Sequence, residues 1–199
     1  DLHLFALKKL GAKLKIKNGY ILAEAKNGLK GTTIKFSSIS VGATENALLA
    51  AMMAKGKTIL KNCAIEPEIK DLIKFLKKLG LIIKINGRTI TLVGGKIKNS
   101  KIIHKVIFDR IEFGTYMIAG ALLSKKKLVI DKIDPSIVEN EINVLRKIGV
   151  QVIKKKSLVI IKRDKKLKKI SIITKPYPGF PTDLQAQLMV LLTQVNGVS

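Results

Sequence analysis

The chain has 199 residues, 47% of them apolar, which suits one ordinary domain or parts of two and excludes a disordered chain. One cysteine excludes an internal disulfide, and no Cys/His cluster has zinc spacing, so a reducing compartment is expected. The opening Asp1-Leu2-His3 has no basic n-region, so no signal peptide is expected, and apolar runs of about ten residues are far short of a membrane span.

In chain order, the first element reads as a helix that ends at Leu10-Gly11. Alternation then predicts a strand over Lys13–Lys17, an Asn18-Gly19 type I′ turn and a return strand over Tyr20–Ala25. A strand over Thr32–Phe36 leads into an apolar, Ala- and Met-rich helix over Ala43–Lys55, buried nearly all round. A strand over Lys57–Asn62 follows, then an amphipathic helix over Pro67–Leu79 with proline in its first turn. Strands over Leu81–Ile85 and Thr89–Val93 flank a second Asn-Gly turn at 86–87. The pattern then restarts: strand Ile102–Ile107, helix Phe113–Ser124, strand Lys127–Lys132, helix Pro135–Ile148, strands Val150–Lys154 and Ser157–Lys162. A third round opens with strand Ile170–Thr174 and helix Asp183–Gln194.

This is an internal repeat. Gly11, Gly80 and Gly149 follow three similar helix ends at intervals of 69 residues, each where a helix exit favours a left-handed residue. The unit is β-α-β-α-β-β and about 70 residues long. Both ends fall inside a unit, which makes an internal fragment of a longer protein the expectation.

Lys and Arg number 38 against 14 Asp and Glu, a net charge of +24. Only Arg88, Arg110, Arg146 and Arg163 carry the guanidinium fork that reads phosphates and bases, and aromatics make up 5%. The lysines are spread along every segment, so a solvated surface is expected and a nucleic-acid partner is not.

Several residues invite chemistry, each with a plain alternative. Ser38-Ile39-Ser40-Val41-Gly42-Ala43-Thr44 joins a strand to a buried helix, as an anion site on free amides or as a simple cap by Ser40 or Thr44. The segment 174–187 packs three prolines and a glycine ahead of Thr182 and Asp183. Asp183 is then a helix cap, or a carboxylate held by a stiff loop as a base. Asp109-Arg110-Ile111-Glu112 reads as a charged cap with an internal ion pair, and Glu66 and Glu68 as acids suited to a helix dipole. Cys63 reads as a semi-buried filler, and His3 and His104 as surface or core histidines without a metal partner.

The repeat, Ser40-Val41-Gly42-Ala43-Thr44-Glu45-Asn46, Glu66-Pro67-Glu68-Ile69, Asp109-Arg110-Ile111-Glu112 and the run 178–187 (Pro-Gly-Phe-Pro-Thr-Asp-Leu-Gln-Ala-Gln) resemble the UDP-N-acetylglucosamine 1-carboxyvinyltransferase family over essentially the whole chain. The resemblance implies the α/β class: an enolpyruvyl-transferase-like inside-out α/β barrel built from these repeats, truncated here at both ends. Residues 1–107 would complete one domain and 108–199 begin the second. It implies a cytoplasmic transferase that moves the enolpyruvyl group of phosphoenolpyruvate to the 3-hydroxyl of UDP-N-acetylglucosamine, the first committed step of peptidoglycan synthesis. No cofactor or metal is implied, and the remainder of the polypeptide would be the partner.

Residue by residue, Asp1 and Leu2 match the segment that holds the uracil end of the nucleotide. Ser38, Ile39, Ser40, Val41 and Gly42 match the cradle of the diphosphate. Asp183 matches the carboxylate at the sugar 3-hydroxyl, the base. Glu66, Glu68 and Asp109 match cleft acids without a fixed role. The family often has lysine at the Ser38 position. Its loop cysteine, its Lys-Asn pair and its phosphoenolpyruvate-binding arginines fall outside this chain, and Cys63 matches none of them, so the chain alone is expected to be inactive. The related 3-phosphoshikimate enzyme, a basic nucleic-acid-binding module and a non-catalytic paralogue are the alternatives.

Overall fold

The fold was read from a computed structural model, which describes all residues except 96, 100, 125 and 164–166. The chain divides into two compact units, Asp1–Val106 and Ile107–Ser199.

In the first unit, helix α1 (Leu2–Lys9) leads to a hairpin of β1 (Lys13–Lys17) and β2 (Tyr20–Glu24). Asn18 and Gly19 both take positive φ, as the type I′ turn requires. The hairpin forms a two-stranded sheet of its own, and its Ile16, Tyr20, Ile21 and Leu22 are exposed.

Next come β3 (Thr33–Lys35), α2 (Val41–Met52), β4 (Gly56–Lys61), α3 (Pro67–Lys78), β5 (Ile82–Asn86) and β6 (Thr89–Gly94). They make one sheet of order β3-β4-β6-β5, with β3 parallel to β4 and the remaining pairs antiparallel. The second hairpin turns one residue later than expected: Asn86 pairs with Thr89, and only Gly87 takes positive φ. Glycine alone at the first central position is the type II′ signature, so the sequence Asn-Gly was misread there.

α2 buries Ala43, Thr44, Ala47, Leu48 and Ala51, as an apolar helix must. α3 buries Ile69, Ile73 and Leu76 on one stripe and turns Lys70, Lys74 and Lys77 to solvent. Each such buried side chain contributes roughly 1.5–3 kcal/mol of transfer free energy. Gly94 is forced: a Cβ there would lie 2.3 Å from the carbonyl oxygens of both Ala51 and Ala54.

The second unit holds α4 (Arg110–Leu123), β7 (Leu128–Asp131), a 3₁₀ turn (Pro135–Val138), α5 (Glu139–Ile148), β8 (Gln151–Lys155), β9 (Leu158–Lys162), a second 3₁₀ turn (Thr182–Leu184) and α6 (Gln185–Leu192). The sheet order is β7-β9-β8, antiparallel throughout. Its core gathers Phe113, Met117, Val138, Ile142, Leu145, Ile161, Phe180 and Leu188. Gly11, Gly80 and Gly149 have φ of 101°, 95° and 98°, the left-handed helix exits that the repeat requires.

Two expected strands are absent. Residues 102–107 spend their groups on α3 instead of a sheet. Lys78 Nζ donates to the Ile103 carbonyl at 2.8 Å, His104 Nε2 lies 3.0 Å from Asp71 Oδ2, and the His104 ring packs edge-on to Phe75. Residues 170–174 make only a bridge from Thr174 to Phe180. In the first unit, the strand before the buried helix pairs with the strand after it; no described strand follows α6 here. The lysines justify the solvated reading: every described one is exposed except the half-buried Lys162.

Candidate functional site

The candidate turns stand at helix starts: α2 in the first unit, α4 and α6 in the second. In the first, the loop after β3 is pinned at both ends. Phe36 N donates to the Lys61 carbonyl and Asn62 Nδ2 to the Phe36 carbonyl at 3.0 Å. Ser40 caps α2 with its Oγ, which accepts from Ala43 N at 3.3 Å. Thr44, fully buried, donates from Oγ1 to the Ser40 carbonyl at 2.7 Å and accepts from Ala64 N at 3.1 Å. Ile39 and Val41 anchor the loop in the core, and Ser38 stays exposed. Helix geometry gives the Val41 and Gly42 amides no carbonyl within the helix, so these N–H groups and the dipole suit an anion.

The start of α1 lies against this turn. Asp1 caps α1, its Oδ1 accepting from His3 N at 2.9 Å, and Leu2 packs on the same core as Ile39 and Val41. Asn46 Nδ2 lies 3.2 Å from His3 Nδ1. The structure thus brings residues 1–2 and 38–42 together through His3 and Asn46, which sequence reasoning missed. The pair is 43 residues apart and carries no local signal.

Glu66, at the start of α3, is buried and makes no capping bond, whereas Glu68 sits in the first turn as the dipole favours. The Glu45 carboxyl is pushed up from its ordinary value, first by burial and then by the charge of Glu68. Cys63 is fully buried, and burial drives its thiol up to about 11, which removes it as a nucleophile.

In the second unit, Asp109 caps α4, its Oδ1 accepting from Ile111 N at 2.7 Å and Glu112 N at 3.1 Å. The ion pair expected within residues 109–112 is not the one formed. Arg110 is buried and turns to Glu141, also buried, at 3.6 Å.

Asp183 is exposed in the 3₁₀ turn that leads into α6, and it does not cap the helix as a plain reading expects. Pro181 holds the capping position of the 3₁₀ turn and Leu184 that of α6, so neither starts with a side-chain acceptor. The turn is held from both sides. Leu184 is fully buried against α4, where Gly114 leaves the space, and Gln187 Nε2 donates to Thr115 Oγ1 at 3.1 Å. Upstream, Lys175 N donates to the buried Phe180 carbonyl at 2.9 Å and Gly179 N to the Pro176 carbonyl at 2.9 Å. No group of three or more His, Cys, Asp or Glu suited to a metal occurs among the described residues, and no described helix is long and apolar enough to cross a membrane.

Residues 1–199 match the family of EPSP synthase (3-phosphoshikimate 1-carboxyvinyltransferase). The chain is 53% identical over 196 residues to a Pelagibacter ubique protein named UDP-N-acetylglucosamine 1-carboxyvinyltransferase, covering 98% of this chain and 47% of that one. It is 46% identical over 199 residues to the protein of the same name from Endomicrobium trichonymphae, covering 100% and 47%. The chain therefore spans about half the length of these relatives. Among solved structures, the enolpyruvyl transferase NikO from Streptomyces tendae superposes with a TM-score of 0.86 at 24% identity, covering 99% of this chain and 49% of that one. EPSP synthase from Acinetobacter baumannii gives 0.63 at 19%, covering 98% and 46%. The fold is that of the enolpyruvyl transferases, as the sequence resemblance implied.

Proposed function

This chain belongs to the EPSP synthase (3-phosphoshikimate 1-carboxyvinyltransferase) family, and on that premise we propose that it is part of a longer enolpyruvyl transferase whose acceptor is UDP-N-acetylglucosamine. The observation that carries the choice of acceptor is its similarity, along its whole length, to relatives bearing that name. In support, His3 lies against Gly42 and Asn46, and Leu2 shares a core with Ile39 and Val41, beside the helix-start amides of α2 that suit a diphosphate. The first unit would complete one domain and the second begin the next. Peptidoglycan synthesis in the cytoplasm is the setting this reading implies.

The reaction has two steps. The sugar hydroxyl oxygen bonds to C2 of phosphoenolpyruvate, its proton passing to a base, while a proton is added at C3. C3 then loses a proton and the C2–O bond to phosphate breaks, which releases phosphate and restores the enol ether. Asp183 is the proposed base: an exposed carboxylate on a turn fixed by Leu184 and Gln187. The proton donor at C3 and the cations that hold phosphate belong to the rest of the polypeptide. No chemical step is assigned to Glu66, Glu68 or Asp109.

The test is phosphate release from phosphoenolpyruvate by a polypeptide of the relatives' length that contains this chain. Release is expected with UDP-N-acetylglucosamine and not with shikimate 3-phosphate; the reverse would assign the acceptor of the related enzyme. In that protein Asp183→Ala should lower turnover at least about tenfold, the lower side of what a positioned base contributes. Near-normal turnover with the fold intact would remove Asp183 as the base.

A further inference from the structure

We infer that His3 is a positioning residue for the nucleotide, acting through Asn46 and resting on the acceptor proposed above. Three observations carry this. The His3 backbone amide donates to the Asp1 carboxylate at 2.9 Å, which sets His3 in the capped first turn of α1. The Asn46 side-chain amide donates to His3 Nδ1 at 3.2 Å, which ties that turn to the second turn of α2. The ring also lies over the first turn of α2: a Cβ on Gly42 would come within 3.2 Å of His3 Cε1 and 3.5 Å of Nε2.

The two segments proposed to hold opposite ends of the nucleotide are therefore at least 36 residues apart in sequence, and one imidazole bridges their polar groups. The cores beneath them are apolar and set no angle between polar groups, because dispersion contacts are non-directional. A hydrogen bond with a flat ring wedged on glycine does set it. His3 touches no reacting atom in this arrangement. Its effect is on how well residues 1–2 and 38–42 meet the same ligand.

The experiment is steady-state kinetics on a polypeptide of the relatives' length containing this chain, with UDP-N-acetylglucosamine and phosphoenolpyruvate varied separately. His3→Leu keeps bulk over Gly42 and removes the acceptor. It should raise KM for the nucleotide about three- to tenfold, the range one part-buried hydrogen bond spans. kcat and KM for phosphoenolpyruvate should stay within about twofold, since neither depends on that bond. His3→Asn puts an acceptor oxygen close to the Nδ1 position and should recover most of the loss. Asn46→Leu should match His3→Leu, and the double variant should be no worse than either, because both remove one bond.

A nucleotide KM unchanged in His3→Leu would overturn the inference. So would equal rises in both KM values, or a loss that His3→Asn does not rescue, since each marks a general effect on the fold. A parent protein that turns over phosphoenolpyruvate without the UDP-sugar, or not at all, refutes the acceptor reading before His3 is tested. The two failures are therefore separable.

Discussion

Gly114→Ala tests how the fold holds Asp183. A Cβ built on Gly114 lies 2.4 Å from Leu184 Cδ1 and 3.1 Å from Cδ2. Carbon atoms rest at about 3.5–4.0 Å, so Leu184 must withdraw by about 1 Å. It cannot swing to solvent, because it is fully buried. Overpacking of this kind costs about 1–3 kcal/mol. Alanine in place of glycine within α4 returns about 1 kcal/mol of helix propensity. The net loss of stability is then about 0–2 kcal/mol, readable by denaturant titration. On the proposed role of Asp183, function should suffer more, because Asp183 precedes Leu184 directly and a displacement of about 1 Å costs on the order of a hundredfold in rate. Leu184→Ala alone should cost about 2–5 kcal/mol for its cavity. Gly114→Ala/Leu184→Ala should cost less than the sum of the two, since the new methyl fills part of the space removed. Strictly additive stability losses, or Gly114→Ala with full turnover, would refute this account of how Asp183 is placed.

The Glu45 carboxyl is raised by burial and by Glu68, so its charged form is penalised in the native state. Stability from this group is fully present below the ordinary value of 4.5 and is lost as pH rises through the native one. Glu45→Gln should therefore raise Tm at neutral pH and change little near pH 4; a gain that is equal at both would point away from titration. Cys63, with its thiol near 11, should resist a disulfide reagent at pH 8 in native protein and react at once in denaturant. Cys63→Ser should leave turnover unchanged, and an inactive variant would restore the thiol as a candidate.

Local signals made most of the fold readable. The three glycines at helix exits need a left-handed backbone whatever surrounds them, so a spacing of 69 residues exposed the repeat directly. Hydrophobic stripes placed α3 and α5 because they face a single core. Helix starts were read two or three residues late at α2 and α4, where the capping residues Ser40 and Asp109 lie within motifs that also read as functional. Strands 102–107 and 170–174 failed because pairing belongs to two segments, and alternation in one cannot say whether a partner edge is available. Asp71 could not be matched to His104, nor Asn46 to His3, from sequence alone. Those bonds join elements brought together only by the tertiary fold.

The repeat also explains why one acid and not another suits the role of base. Ser40, Asp109 and the turn at Thr182–Leu184 stand at the same place in three rounds of the unit, each opening an apolar helix. Ser40 gives its oxygen to Ala43 N, and Asp109 gives one carboxylate oxygen to two amides. Both side chains are committed to their own helix. In the third round the chain arrives through Pro181, and a 3₁₀ turn replaces the capped start. The helix then asks no bond of Asp183, whose carboxylate faces solvent on a turn fixed by its neighbours. Pro181 and the 3₁₀ turn it opens therefore do more than stiffen a loop. They release from capping the one carboxylate in this position that is proposed to take a proton.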